Sequence, residues 1–165
     1  MAVHPNIQSM LCESLPEMLL VAKYCIEFQK DTNIWPAPGC YGYPAALFLL
    51  SIADSIGSYV EQGNVENHFK ILNNEDYYGL NLSDEEIRIM FDNYRNLLAH
   101  HTVMSTNVGL KIGSSSDSVL QNQGSRYWLN LVPFYNMSVR AVNSFLNNPT
   151  ILSNNRTILN IYKKS

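Results

Sequence analysis

The clearest alternation of apolar and polar positions runs over residues 81–102, NLSDEEIRIMFDNYRNLLAHHT. Ile87, Met90, Phe91, Tyr94, Leu97 and Leu98 recur three and four apart, which predicts a helix with one broad apolar face turned toward a core. Ser83 and Glu86 have capping-box spacing, so each side chain pairs with a backbone N–H that the first helical turn leaves open. Asp92, Asn96 and His100 stand four apart on another face. A cation, an amide and an imidazole thus meet at the end of an anchored helix, the kind of support that a phosphate-handling site needs.

Earlier in the chain, Met18, Leu19, Ala22, Cys25, Ile26 and Gln29 share a helical face and Pro16 suits a first turn. A helix over residues 15–30 is expected, with room for a shorter one before it. Residues 31–43 mix Pro36, Pro38, Gly39 and Gly42 with Trp35, Tyr41 and Tyr43 and read as an ordered aromatic loop. Pro44 opens ALFLLSIADSIGSYV, apolar all round except for Ser51, Asp54, Ser55 and Ser58, hence central to a bundle. Asp54 is expected to face solvent along that polar stripe; the alternative is an orienting carboxylate aimed at Arg95 and His100. A short helix is expected over residues 65–72, with His68 at the surface, then a polar connection over 73–81.

The pattern changes after His101. Val108, Leu110 and Ile112 alternate with Gly109, Lys111 and Gly113, and residues 127–132 are rich in aromatic and β-branched side chains. Both read as strands of a hairpin, joined by a polar, mobile surface loop over residues 113–125. Pro133 starts the next helix, with Ser138, Val142, Phe145 and Leu146 on one face. Ile158, Leu159 and Ile161 in the tail fit a docked helix or a strand equally.

At 165 residues the chain is expected to form one domain, residues 1–165. No membrane span or secretory leader is read from the sequence, so a cytoplasmic protein is expected. Cys12, Cys25 and Cys40 match no metal spacing and are expected to be reduced thiols. The net charge of −3 is unevenly divided: residues 1–104 hold 5 Lys+Arg and 13 Asp+Glu (−8), residues 105–165 hold 6 and 1 (+5). Lys111, Arg126, Arg140, Arg156, Lys163 and Lys164 form either a phosphate-attracting patch or a sparsely charged solvated surface.

Arg95-Asn96-Leu97-Leu98-Ala99-His100 resembles the Arg-Asn-x3-His signature of the HEPN superfamily, helical domains of prokaryotic toxins, abortive-infection systems and RNA-processing nucleases. The resemblance covers about the first hundred residues and the helix after Pro133. It implies an all-α bundle of four to five helices, HEPN-like, with the small β-hairpin as an insertion. It further implies a metal-independent endoribonuclease with RNA as substrate, no cofactor and no metal, in a toxin–antitoxin or phage-defence setting. The site would be shared across a homodimer, with an antitoxin or other protein as a further partner.

In that reading Arg95, Asn96 and His100 are the catalytic set, with His101, Asp92 and Asp54 as candidates for support and Lys111, Arg126 and Arg140 for RNA binding. An imidazole can pass a proton near neutral pH, while Arg95 can fork across two phosphoryl oxygens as charge builds at phosphorus. His100 is favoured over His101 because it lies four residues after Asn96. One departure is visible: some toxin members place a tyrosine two residues after the histidine, and Thr102 stands there instead. The competing reading is a non-catalytic HEPN-like domain that binds RNA, nucleotide or a protein, in which Arg95 pairs with Asp92. A metal enzyme built on His100 and His101 is disfavoured, because adjacent helical residues point about 100° apart. Ser-His-Asp hydrolysis is disfavoured for lack of a nucleophile-elbow sequence.

Overall fold

An asparagine ahead of the first apolar run starts the fold. Asn6 Oδ1 accepts the backbone N–H of Ser9 at 2.8 Å and caps α1 (Ile7–Glu27). The structure is a computed structural model that describes residues 4–61 and 63–148. The helix expected from residue 15 instead begins at Ile7 and runs unbroken through Pro16. Proline removes one backbone hydrogen bond, but burial of Leu15, Leu19, Ala22, Cys25 and Ile26 along one stripe outweighs that local loss.

After the aromatic loop, α2 (Gly42–Val60) takes the centre, with Pro44 in its first turn. Ala45, Ala46, Leu49, Leu50, Ile52, Ala53 and Ile56 are all fully buried. It packs against α1, against α3 (Val65–His68) and its 3₁₀ continuation (Phe69–Asn73), against the motif helix, and against the last helix. By length and composition alone α2 would also pass for a membrane span, with a mean hydropathy of 1.2 over its 19 residues. Here those apolar side chains line the interior of the bundle.

The motif helix begins at the expected capping box: Glu86 N–H donates to Ser83 Oγ at 3.3 Å and Ser83 N–H to Glu86 Oε2 at 2.9 Å. It is not a uniform α-helix. An α-helical start, α4 (Asp84–Ile89), passes into a π-helical stretch (Met90–Asn96) and then into α5 (Leu97–His101). Thr102, in the left-handed conformation at φ 56°, ends it.

Three short strands follow: β1 (Val108–Lys111), β2 (Leu120–Gln123) and β3 (Arg126–Asn130). The expected pairing of the first and last as a hairpin is wrong. β1 runs parallel to β3, which lies in the middle, and the hairpin is β2–β3. Gly124 at φ 71° opens the two-residue turn between them, a conformation suited to glycine in a tight hairpin. The strand β2 therefore occupies part of the segment expected to be a mobile loop. Asn130, fully buried, anchors that segment through Nδ2 to the Ser118 carbonyl at 2.7 Å and its N–H to Val119 at 2.8 Å.

The last described helix, α6 (Leu131–Leu146), starts immediately after β3 and returns to α1 and α2. The protein is thus predominantly helical with a small three-stranded sheet. The expected docked tail, with Arg156, Lys163 and Lys164, lies outside the described residues.

Candidate functional site

Asp54 sits on α2 one turn before Gly57, and the two act together. A Cβ at Gly57 would collide with the backbone of His68, so only glycine lets α3 approach α2 this closely. Immediately after His68, Phe69 is fully buried and packs on Phe91 of the π-helical stretch with ring centroids 5.6 Å apart. These contacts bring His68 and Arg95 to the same carboxylate. Asp54 Oδ1 lies 3.0 Å from His68 Nδ1, and Arg95 Nη2 donates to Asp54 Oδ2 at 2.7 Å.

Arg95 is also held by its neighbour, since Nη1 donates to Asn96 Oδ1 at 3.3 Å. Side-chain exposure is 15% for Asp54, 16% for His68 and 23% for Arg95, which places the cluster in a partly desolvated position with an opening to solvent. An ionised carboxylate only accepts hydrogen bonds, so His68 Nδ1 is the donor in this contact and the ring is held in a fixed orientation. A cation held in place and an oriented imidazole on either side of one carboxylate can bind an anion and move a proton.

Matched against known families, curated proteins and solved structures, the chain matches none of them.

The structure brings together only part of the residue set expected from sequence. Arg95, Asn96 and Asp54 converge, and Asp54 points inward at the arginine, not out along a solvated stripe. Asp92 is exposed and is not the partner of Arg95, which pairs with Asp54. His100 and His101 are both exposed in the last turn, and among the described residues neither imidazole makes a hydrogen bond or ion pair. Asn96 gives its side-chain oxygen to Arg95, and no described hydrogen bond joins it to His100. Among the described residues, no group of three or more His, Cys, Asp or Glu side chains is placed to hold a metal ion.

His68 is the residue that sequence reasoning missed. Expected at the surface, it is half-buried and paired. A signal was present: Gly57 inside an otherwise apolar helix marks a close backbone approach one turn from the only carboxylate of that helix.

Of the three cations expected to gather RNA, two meet. Lys111 Nζ lies 4.7 Å from the Trp128 ring centroid and Arg126 Cζ 5.6 Å from it. Arg140 is elsewhere, on α6, where its guanidinium donates to the Glu75 backbone carbonyl.

Proposed function

We propose that this chain is a metal-independent endoribonuclease of the HEPN type that cleaves RNA through its own 2′-hydroxyl. The observation that supports this reading is the Arg95 guanidinium, tied to Asp54 at 2.7 Å and still 23% exposed beside the half-buried His68. A base takes the proton from the 2′-OH and the freed oxygen attacks phosphorus. Arg95 stabilises the charge on the phosphoryl oxygens, and the 5′ oxygen leaves with a proton from an acid. The products are a 2′,3′-cyclic phosphate and a 5′-hydroxyl end. His100, exposed at the helix end, is one proton carrier in this scheme. The second is either His68 or the same histidine of a second protomer across a symmetric interface. A toxin or phage-defence role belongs to this proposal.

A second reading has its own support. Asp54 satisfies His68 and Arg95 at once and ties α2, α3 and the π-helical stretch together, as a purely structural cluster in a non-catalytic binding domain would.

The deciding assay is cleavage of a mixed RNA in EDTA by wild type, Arg95→Ala, His68→Ala and His100→Ala, with mass measured on the same samples. EDTA-resistant cutting to cyclic-phosphate ends, lost in Arg95→Ala and His100→Ala, is expected. Loss in His68→Ala as well assigns it the second proton transfer; full activity there together with a dimer assigns that step to the partner protomer. Absence of cutting by folded wild type against every RNA offered would favour the binding-domain reading.

A further inference from the structure

The β1–β3–β2 sheet has one face against the helices and one toward solvent. Register places Gly109, Lys111, Gln121, Gln123, Arg126 and Trp128 together on the outer face, because Gly109 pairs with Trp128, Trp128 with Gln121, and Arg126 with Gln123. Val108, Leu120 and Leu129 point the other way and are buried. A tryptophan in the middle strand of a solvent-facing sheet is unusual, and the glycine beside it explains its pose. A Cβ at Gly109 would meet the six-membered ring of Trp128, so the indole lies across the bare backbone of β1. One side of the ring is backed by protein and the ring is only half-buried.

The surroundings of that ring are cationic. Lys111 Nζ and Arg126 Cζ stand over it, 4.7 and 5.6 Å from its centroid, and the three strands VGLK, LQNQ and RYWLN contain no carboxylate. Among the described residues the two cations hydrogen-bond only to exposed neutral acceptors, Lys111 to Gln123 Oε1 at 3.1 Å and Arg126 to the Thr106 carbonyl at 3.1 Å. In a chain of net charge −3 this makes the face a local exception.

We infer that this sheet face is a platform for single-stranded RNA. One unpaired base stacks on Trp128 as the long side chains of Lys111 and Arg126 swing off the ring to neutralise the phosphates on either side, and Gln121 and Gln123 meet the base edge. Stacking on an aromatic ring needs no particular base, and two cations beside the ring supply the positive charge that a strand's backbone needs. The cations alone would also take an acidic protein surface; the exposed indole, which a base can stack on, is what selects an RNA strand. This inference rests on the ribonuclease reading for its biological sense but not for its test.

The experiment titrates the full chain with a fluorescent decamer of 2′-O-methylated RNA, which cannot be cut by 2′-OH attack. The chain has two tryptophans, so a Trp35→Phe background leaves Trp128 as the only indole emitter. Binding is expected to quench that emission. Trp128→Ala is expected to weaken binding by about 5- to 100-fold and Trp128→Phe to restore most of it, since stacking needs a ring. Lys111→Gln and Arg126→Gln should each reduce the slope of log affinity against log salt by about 0.7. Unquenched Trp128 emission at saturation, or equal affinity of Trp128→Ala and wild type, overturns the platform. So does failure of wild type to bind the decamer. A platform that binds in a chain that never cleaves sinks only the ribonuclease reading, and cleavage with unchanged Trp128 emission sinks only the platform.

Discussion

The Asp54 carboxylate is divided between two cation-forming partners: Oδ2 receives Arg95 at 2.7 Å and Oδ1 faces His68 at 3.0 Å. Removing it leaves a half-buried guanidinium without its counter-charge. Asp54→Ala should therefore cost about 1–3 kcal/mol of unfolding free energy. In a double-mutant cycle with Arg95→Ala, the coupling should reach at least about 0.5 kcal/mol, read from urea midpoints. Strict additivity would show that the pair contributes nothing to stability and that its geometry serves something else.

Gly57 permits the approach of α3 to α2, so its substitution tests how the site is assembled. Gly57→Ala normally favours a helix by up to ~1 kcal/mol. Here the added methyl meets the His68 backbone, and a net loss of about 1–3 kcal/mol is expected, with weakened ordering of His68 in its imidazole NMR signals. A more stable Gly57→Ala protein would mean that α3 shifts freely and that the Asp54–His68 contact is loosely held.

Tyr94 joins the motif helix to the sheet. Its hydroxyl lies 2.9 Å from the Gly109 carbonyl and 3.1 Å from that of Tyr127, and burial pushes the phenol well above the ordinary tyrosine range. Tyr78 is raised in the same direction, again by burial, opposed by the Ser138 hydroxyl. Both groups hold their protons more tightly folded than unfolded. Their contribution is thus complete below the unfolded value of ~10 and is lost as pH rises above it. Stability should fall steeply above about pH 10. Tyr94→Phe should cost about 1–2 kcal/mol at pH 7 and flatten the alkaline fall, and a parallel alkaline limb in mutant and wild type would refute that assignment.

The three thiols should separate by reactivity. Cys12 is exposed, whereas Cys25 and Cys40 are buried and burial raises both thiols; for Cys40 its own backbone hydrogen bond and Lys30 oppose the rise only partly. Near pH 8 a thiol reagent should modify one cysteine per chain quickly, with the other two released by denaturant. Cys12→Ser should abolish the fast phase. Rapid labelling of all three would show that α1 opens from α2 in the native state.

Much of the helical framework was legible in residue order because it depends on local spacing. The capping box at Ser83 and Glu86, the apolar stripe through Ile87, Met90, Tyr94 and Leu98, and the all-round apolar α2 each announce themselves within one or two turns. The aromatic and β-branched run at β3 announced a strand, but not its neighbours. Strand partners are chosen across the fold, and the polar segment that became β2 is held by the buried Asn130, a contact that no periodicity reveals. The continuous α1 shows the reverse case, where packing along a whole face overrode a local proline signal.

The sequence by itself determined which polar side chains the motif helix offers near its end, since Arg95, Asn96 and His100 lie within two turns there whatever the rest of the chain does. Only the tertiary structure decided their partners. Asp54 and His68 come from separate helices, and Asp54 meets both His68 and Arg95 because Gly57 lets two backbones close and Phe69 packs on Phe91. Lys111 and Arg126 likewise meet only because β1 and β3 pair in parallel and Gly109 makes room for Trp128. Local patterns set which groups are available, and the long-range fit of side chains and backbone sets which of them share a site.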